Sequence, residues 1–322
     1  MGAILSLARP AGAGDDYVER LAAQVRSRLA ALAASHAPKV VPPTPIAITW
    51  KAVHLGYVDL GGPLVAMTAG DLDGDKRTEV YAVTAREVIA IALRNGKPTI
   101  IGRVAFQGDR AVPSPRDVVA TAVVDGSEVV AAASPWAKEL RVSWKGKTLV
   151  ARPGESGYLV CPPKQRVQLA QNRNYFGTPT NASYAVLCRR NLVDPAGYPL
   201  HVHADLAKNG KLAIAVEKCG FDGAACQPAG NFEFRDVGVA FEIADVDHDG
   251  TPEAILSEAS PPGGSDGVRV ISLGSKKPVF QRLFNGGVAG LAVVDADGSG
   301  VEKVIAATRL SGNGKLDFWR LD

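Results

Sequence analysis

Two stretches of the chain repeat one unusual order of side chains, GDLDGDKRTEV at residues 70–80 and ADVDHDGTPEA at residues 244–254. In each, three aspartates stand at alternate positions (Asp71, Asp73, Asp75 and Asp245, Asp247, Asp249), and a glutamate follows four residues after the last (Glu79 and Glu253). Apolar, partly alternating runs such as PLVAMTA and YAVTAREVIAIAL flank them, so each acidic cluster reads as a tight loop between two strands. Like charges packed that closely repel one another, and the loop must either splay them into water or curl them around a cation. Alternate carboxylates closed by a later Glu allow the second course with a hard cation, which is the logic of calcium loops. An EF-hand achieves it in a longer loop between helices; here the flanks are strands.

A third copy, VVDADGSGVEKVIAA, keeps Asp295 and Asp297 but has Ser299 at the fifth position and Lys303 at the ninth. An ammonium where the last carboxylate belongs predicts a weak metal site or none. From Asp245 to Asp295 the repeat advances by 50 residues, close to the ~40–50 residues of a four-stranded propeller blade. Degenerate copies occur as TAVVDGSEVVAAAS around Asp125 and HADLAKNGKLAIAV around Asp205, with a weaker one near Lys164. These positions predict six units, starting near 71, 125, 165, 205, 245 and 295; seven is the alternative count, because the third unit is long.

The patterns D-x-D-G-D-x-x-x-E at Asp71 to Glu79 and D-x-D-x-D-G-x-x-E at Asp245 to Glu253 resemble the FG-GAP or VCBS-type repeat propellers, relatives of the integrin alpha head. The likeness covers roughly residues 50 to 322. It implies an all-β, six-bladed (alternatively seven-bladed) propeller in which calcium is held in the hairpin between two strands of a blade by the acidic side chains and one backbone carbonyl. By position, those carbonyls belong to Arg77 and Thr251. Lys76 departs from the family's usual Gly and predicts strain in that turn.

The four cysteines, Cys161, Cys188, Cys219 and Cys226, form an even set. CGFDGAAC closes a short Gly-containing loop in which Cys219 can pair with Cys226, leaving Cys161 to pair with Cys188; four reduced thiols in a cytosolic protein are the competing reading. Residues 1–14 resemble a remnant of a secretory signal ending at Ala11-Gly12-Ala13, although the apolar part is shorter than the ~7–15 residues expected. Paired cysteines, calcium loops and this remnant point to the periplasm or the cell exterior. With 36 basic and 33 acidic residues the net charge of +3 gives no case for nucleic acid, and no window approaches the ~18 apolar residues of a membrane span.

Residues 15–47 read as an amphipathic helix over 15–35, with Val18, Leu21, Val25, Leu29 and Leu32 at helical spacing, and a proline-rich linker, HAPKVVPPTPIA, over 36–47. The propeller then occupies residues 48–322. Its last unit shows only three strand candidates, so residues 48–60 are expected to supply the outer strand that closes the ring.

Catalytic signatures are sparse. His201 and His203 share one face of a strand without a third ligand nearby, His248 occupies a non-ligand position expected to be exposed, and GGSDG around Ser265 lacks a strand-to-helix context. The inserted stretch QNRNYFGTPTNAS offers Arg173, Tyr175 and Phe176 as binding anchors. The sequence therefore predicts a monomeric, non-catalytic module that binds a protein or glycan. A carbohydrate-processing or lyase-like propeller enzyme and an envelope assembly factor docking through the helix are the alternatives.

Overall fold

The computed structural model describes residues 19–28, 44–105, 120–133, 138–154, 158–160, 165–167, 185–207, 210–220, 225–258, 264–310 and 314–322. The chain divides into two units, 1–41 and 42–322. In the first, residues 19–28 are helical, and Leu21 and Val25, one turn apart, are about half exposed.

The second unit is a β-propeller. After β1 (Ala52–Asp59) come β2 (Ala66–Gly70), β3 (Glu79–Val83), β4 (Glu87–Arg94) and β5 (Lys97–Ala105), which form blade 1 in that order. Blade 2 is β6 (Ala120–Asp125), β7 (Glu128–Ala133), β8 (Leu140–Lys145) and β9 (Thr148–Pro153). The short strands β10 (Tyr158–Val160) and β11 (Gln165–Val167) form a two-stranded ribbon, with no other strand paired to them among the described residues. Blade 3 is β12 (Ala185–Val193), β13 (Pro199–Leu206), β14 (Leu212–Cys219) and β15 (Cys226–Phe234), and blade 4 is β16 (Val237–Ala244), β17 (Glu253–Glu258), β18 (Asp266–Ser272) and β19 (Pro278–Phe284). Blade 5 holds β20 (Val288–Val294), β21 (Lys303–Arg309) and β22 (Lys315–Leu321), and β1 completes it as the outer strand.

Among the described residues five blades, not six or seven, make the ring. The stretch from Asp71 to Asp245 holds three blade steps where equal spacing implied four. Lys164 itself lies outside the described residues, and the strands on either side of it, β10 and β11, pair with each other rather than within a four-stranded blade. Asp205 lies in β13, so the pattern around it is the second hairpin of blade 3, while the first hairpin turns at Asp194 to Tyr198. Strand, turn and strand repeat at every hairpin of a meander, and without ion ligands to mark the first one the register slipped.

Ring closure follows the expected course. β1 runs antiparallel to β22, from Ala52 opposite Leu321 to Asp59 opposite Lys315, and the backbones of Lys51 and Asp322 exchange hydrogen bonds beyond it. This pairing covers a β22 edge that would otherwise be open to other chains.

Packing is between blades. Each sheet faces its neighbours, and the described apolar clusters lie in the seams: Val80, Ile89, Ile305 and Phe318 between blades 5 and 1, Tyr81, Val88, Val129 and Val142 between blades 1 and 2, Ile214, Ile243 and Leu256 between blades 3 and 4, and Val270, Val293 and Val304 between blades 4 and 5. At the seam of blades 2 and 3, Thr121 Oγ1 donates to Val186 O at 2.9 Å. β3, the second strand of blade 1, and β20, the inner strand of blade 5, are buried along their whole length, whereas β13 alternates buried and half-buried positions, as a strand facing two environments does. Each blade is a meander from inner to outer strand, so the first hairpins of all blades share one face of the ring.

Two disulfide expectations were made. Cys219 and Cys226 are bonded, opposite one another in β14 and β15. Cys188 is also oxidised, and its expected partner Cys161 lies outside the described residues.

Phe318 is fully buried in β22 against the seam to blade 1. Phe318→Ala is expected to cost about 3–5 kcal/mol in urea denaturation. Tyr57→Ala, at an exposed position of β1 in the same blade, should stay within about 0.5 kcal/mol. Equal losses would mean that the terminal strand does not close the ring in solution.

Candidate functional site

The three acidic hairpins share one hydrogen-bond scheme. The aspartate at the first position accepts from the amide at the sixth: Asp71 Oδ2 from Lys76 at 2.9 Å, Asp245 Oδ2 from Gly250 at 2.9 Å and Asp295 Oδ2 from Gly300 at 2.8 Å. The third position accepts from the fifth, as Asp73 does from Asp75, Asp247 from Asp249 and Asp297 from Ser299. The fifth accepts from the seventh, as Asp75 does from Arg77, Asp249 from Thr251 and Ser299 from Val301. These are side-chain-stabilised turns, and they explain why Asp or Ser occupies the first, third and fifth positions.

The same turns require left-handed backbone at the fourth and sixth positions. Glycine supplies it at Gly74, Gly250, Gly298 and Gly300, but Lys76 (φ 70°) and His248 (φ 59°) adopt it too. The strain expected at Lys76 is therefore present, and His248 shares it. His248 is buried, which corrects its expected exposure. Gly250 is doubly constrained, because a Cβ there would come within 2.6 Å of Pro195 N in the first hairpin of blade 3.

Each loop is also pinned into the propeller by its second residue. Leu72 packs in the seam of blades 1 and 2, Val246 in that of blades 4 and 5, and Ala296 against that of blades 5 and 1. Neighbouring loops are tied together as well: Thr78 N donates to Asp295 O at 2.9 Å, and Asp295 N donates to Thr78 Oγ1 at 3.2 Å. Ile46 N donates to Asp247 O at 2.6 Å, so the segment before β1 straps the second loop.

This scaffold gathers carboxylates. Asp71, Asp73 and Glu79 each place an oxygen within 4.8 Å of the others, and so do Asp245, Asp247 and Glu253. Asp75 and Asp249 lie outside these two closest groupings, and each braces the turn through its Oδ1. Glu79 and Glu253 are buried. Burial first, and then the neighbouring aspartates, push Glu79 up to about 8 and Glu253 up to about 9. Burial likewise raises Asp245 to about 6, against the amide bond from Gly250. Glu79 has a long contact from the Tyr81 hydroxyl at 3.5 Å, and the Trp144 indole of blade 2 fixes that hydroxyl at 2.9 Å. In the second loop Asp245 Oδ1 and Glu253 Oε1 are buried with no hydrogen-bond partner. Unpartnered anionic oxygens in a protein interior are costly, and a hard divalent cation is the species such a donor set accommodates.

The third loop differs where the sequence differs. Lys303 Nζ turns to Asp322 Oδ2 at 2.9 Å, and Ser299, through its hydroxyl and its amide, lowers the pKa of Asp297. The loop retains Asp295, Asp297 and Ser299 as oxygen donors.

Other expected positions fall elsewhere. Arg173, Tyr175 and Phe176 lie outside the described residues. His201 sits in β13 with Nδ1 3.4 Å from Cys226 Sγ, and that sulfur is already in the disulfide. Next to Ser265, Asp266 opens a strand, and its carboxylate accepts from the amides of Glu258, Gly267 and Val288. It ties blade 4 to blade 5.

Sequence reasoning missed a buried ion pair. Arg189 in β12 donates through Nε to Glu242 in β16 at 3.0 Å and joins the inner strands of blades 3 and 4. Burial raises the Glu242 pKa and the guanidinium opposes the rise. No local motif announces the pair, since its members are 53 residues apart. The space where the five inner strands converge is otherwise lined by residues such as Met67, Ala122, Leu187, Phe241 and Leu291, with the Thr121 hydroxyl among them.

No protein-family model matches the chain, and comparison with curated proteins finds no relative.

The raised glutamates set an expected pH profile for the metal-free protein. The folded chain binds these protons more tightly than an unfolded one with the ordinary value of 4.5. The resulting stability is complete below the unfolded value and is lost as the pH rises through about 8 for Glu79 and about 9 for Glu253. Melting in chelator should therefore fall steadily over that window, and Glu253→Gln should flatten the fall. A midpoint that stays level as the pH rises would contradict the burial of these carboxyls.

Proposed function

We propose that this chain is a calcium-binding β-propeller of FG-GAP or VCBS type that serves as a non-catalytic recognition or scaffolding module in the periplasm or outside the cell. The observation that carries the calcium reading is the pair of buried, unpartnered oxygens, Asp245 Oδ1 and Glu253 Oε1, inside a loop whose backbone is braced by its own aspartates. In this reading Asp71, Asp73, Asp75, Glu79 and the Arg77 carbonyl hold one ion. Asp245, Asp247, Asp249, Glu253 and the Thr251 carbonyl hold another, and Asp295, Asp297 and Ser299 provide at most a weak third site. Bound calcium neutralises the crowded carboxylates and clamps each hairpin to the seam beneath it.

The recognition reading is supported by two features. The inner-strand lining is mostly apolar, and the carboxylate of Glu242 that joins two of those strands is engaged by Arg189. A propeller also presents loops of variable chemistry on a rigid ring, which suits protein or glycan partners. The Cys219–Cys226 bond is compatible with an oxidising compartment, and no described helix is long and apolar enough to cross a membrane.

Calorimetric titration of chelator-treated protein tests the metal reading. Two strong calcium sites are expected, one of which disappears in Glu253→Gln and the other in Glu79→Gln. At a hundredfold excess over Kd each site adds about 2.7 kcal/mol to folding stability, so the melting temperature should rise with calcium. Titration without heat and melting unchanged by calcium would refute it.

A further inference from the structure

On the face that carries the acidic loops, a cleft of about 380 Å³ opens between blades 5 and 1. Four cationic side chains line it, from four separate segments: Arg77 from the first acidic loop, Arg94 from the end of β4, Lys303 from the start of β21 and Arg320 from β22. Asp297 is the one carboxylate in the lining, and Leu93 contributes apolar wall. A smaller opening shares Arg77, Leu93 and Arg94 and continues to Glu79.

These four cationic side chains meet few carboxylates: Asp297 in the lining, which Lys303 attracts, and Asp322 beside it. Lys303 and Arg320 share a single carboxylate oxygen, Asp322 Oδ2, at 2.9 and 2.8 Å. Arg320 Nε is close enough for charge attraction yet buried without a hydrogen bond, so its N–H is not directed at that oxygen. Arg77 and Arg94 have no side-chain ion pair among the described residues. Arg77 and Arg94 are exposed, and their guanidinium groups keep their charge at any ordinary pH, open to an arriving anion. The guanidinium's fork of N–H donors matches planar carboxylates in bidentate fashion. The wall supplies no aromatic ring on which a base could stack, which disfavours nucleotides. The volume falls within the about 300–1,000 Å³ of small-ligand sites.

We propose that this cleft binds a small ligand bearing two or more carboxylates, held by Arg77, Arg94, Lys303 and Arg320. The inference rests on the recognition-module reading and gives it a ligand class. The carboxylates can come from a free polycarboxylic acid or from the uronates of an acidic glycan, and both present the same groups to the arginines.

The test is calorimetric titration of the full calcium-loaded chain with tricarballylate in one arm and digalacturonate in the other. Saturable binding is expected, weakened at least tenfold in Arg94→Glu and less in Arg94→Lys, with calcium stoichiometry the same in all three proteins. Response to tricarballylate alone would support the free acid as the source, and response to digalacturonate alone would support the glycan. Binding of neither, binding indifferent to Arg94→Glu, or an equal response to sulfate would overturn the proposal. Repeating the titration on protein stripped of calcium and then dialysed free of chelator separates the two readings: failure of the loops to take calcium removes the metal reading, while carboxylate binding still reports on the cleft alone.

Discussion

Burying a carboxylate among other carboxylates is the constraint on which this molecule's loop face is organised. Glu79 and Glu253 begin the second strands of their blades, buried, with two aspartate oxygens close to each. Such a group must be neutralised by a proton or by a cation. The hairpins make that arrangement possible by committing the aspartates at odd positions to backbone amides, so that the turn keeps its shape while its oxygens converge. Left-handed backbone at Lys76 and His248 shows that the shape is held even where the residue type resists it.

From these hairpins the organisation passes into the ring through one small contact per loop. Leu72, Val246 and Ala296 each fill a seam between adjacent blades, so a loop that loosens also unpacks a junction. The reciprocal bonds between Thr78 and Asp295 then couple the first and last blades at the point where β1 closes the circle. Chain closure, loop geometry and the cationic cleft thus meet at one seam, between blades 5 and 1. The sharing of Asp322 by Lys303 and Arg320 belongs to the same junction.

Much of this was legible in the sequence because it is local. The odd-position acids, the strands around them and the missing fourth strand of the last unit lie within short windows, and they specify hairpins, loop face and closure. Blade number was not legible, because a hairpin without ligands looks alike wherever it sits in a meander: Asp125 does mark a first hairpin, whereas Asp205 marks a second one. Burial of His248 escaped notice because it depends on packing outside its own loop. Replacement of the ninth acid by Lys303 was visible, yet the ammonium's actual partner, Asp322, is brought near by the pairing of β21 with β22. The Arg189–Glu242 pair and the grouping of Arg94 with Arg320 are products of the closed ring, and no periodicity encodes them.

The central claim is that the first and fourth blades each hold a divalent cation in the pocket formed by their buried glutamate. Anomalous diffraction from crystals grown in calcium, recorded at long wavelength where calcium scatters anomalously, addresses it directly. The account predicts a peak within coordination distance of Asp245 Oδ1 and Glu253 Oε1 and a second one among Asp71, Asp73 and Glu79. Loops that keep their shape but show no anomalous peak, with protonated carboxyls bonded to water, would contradict it.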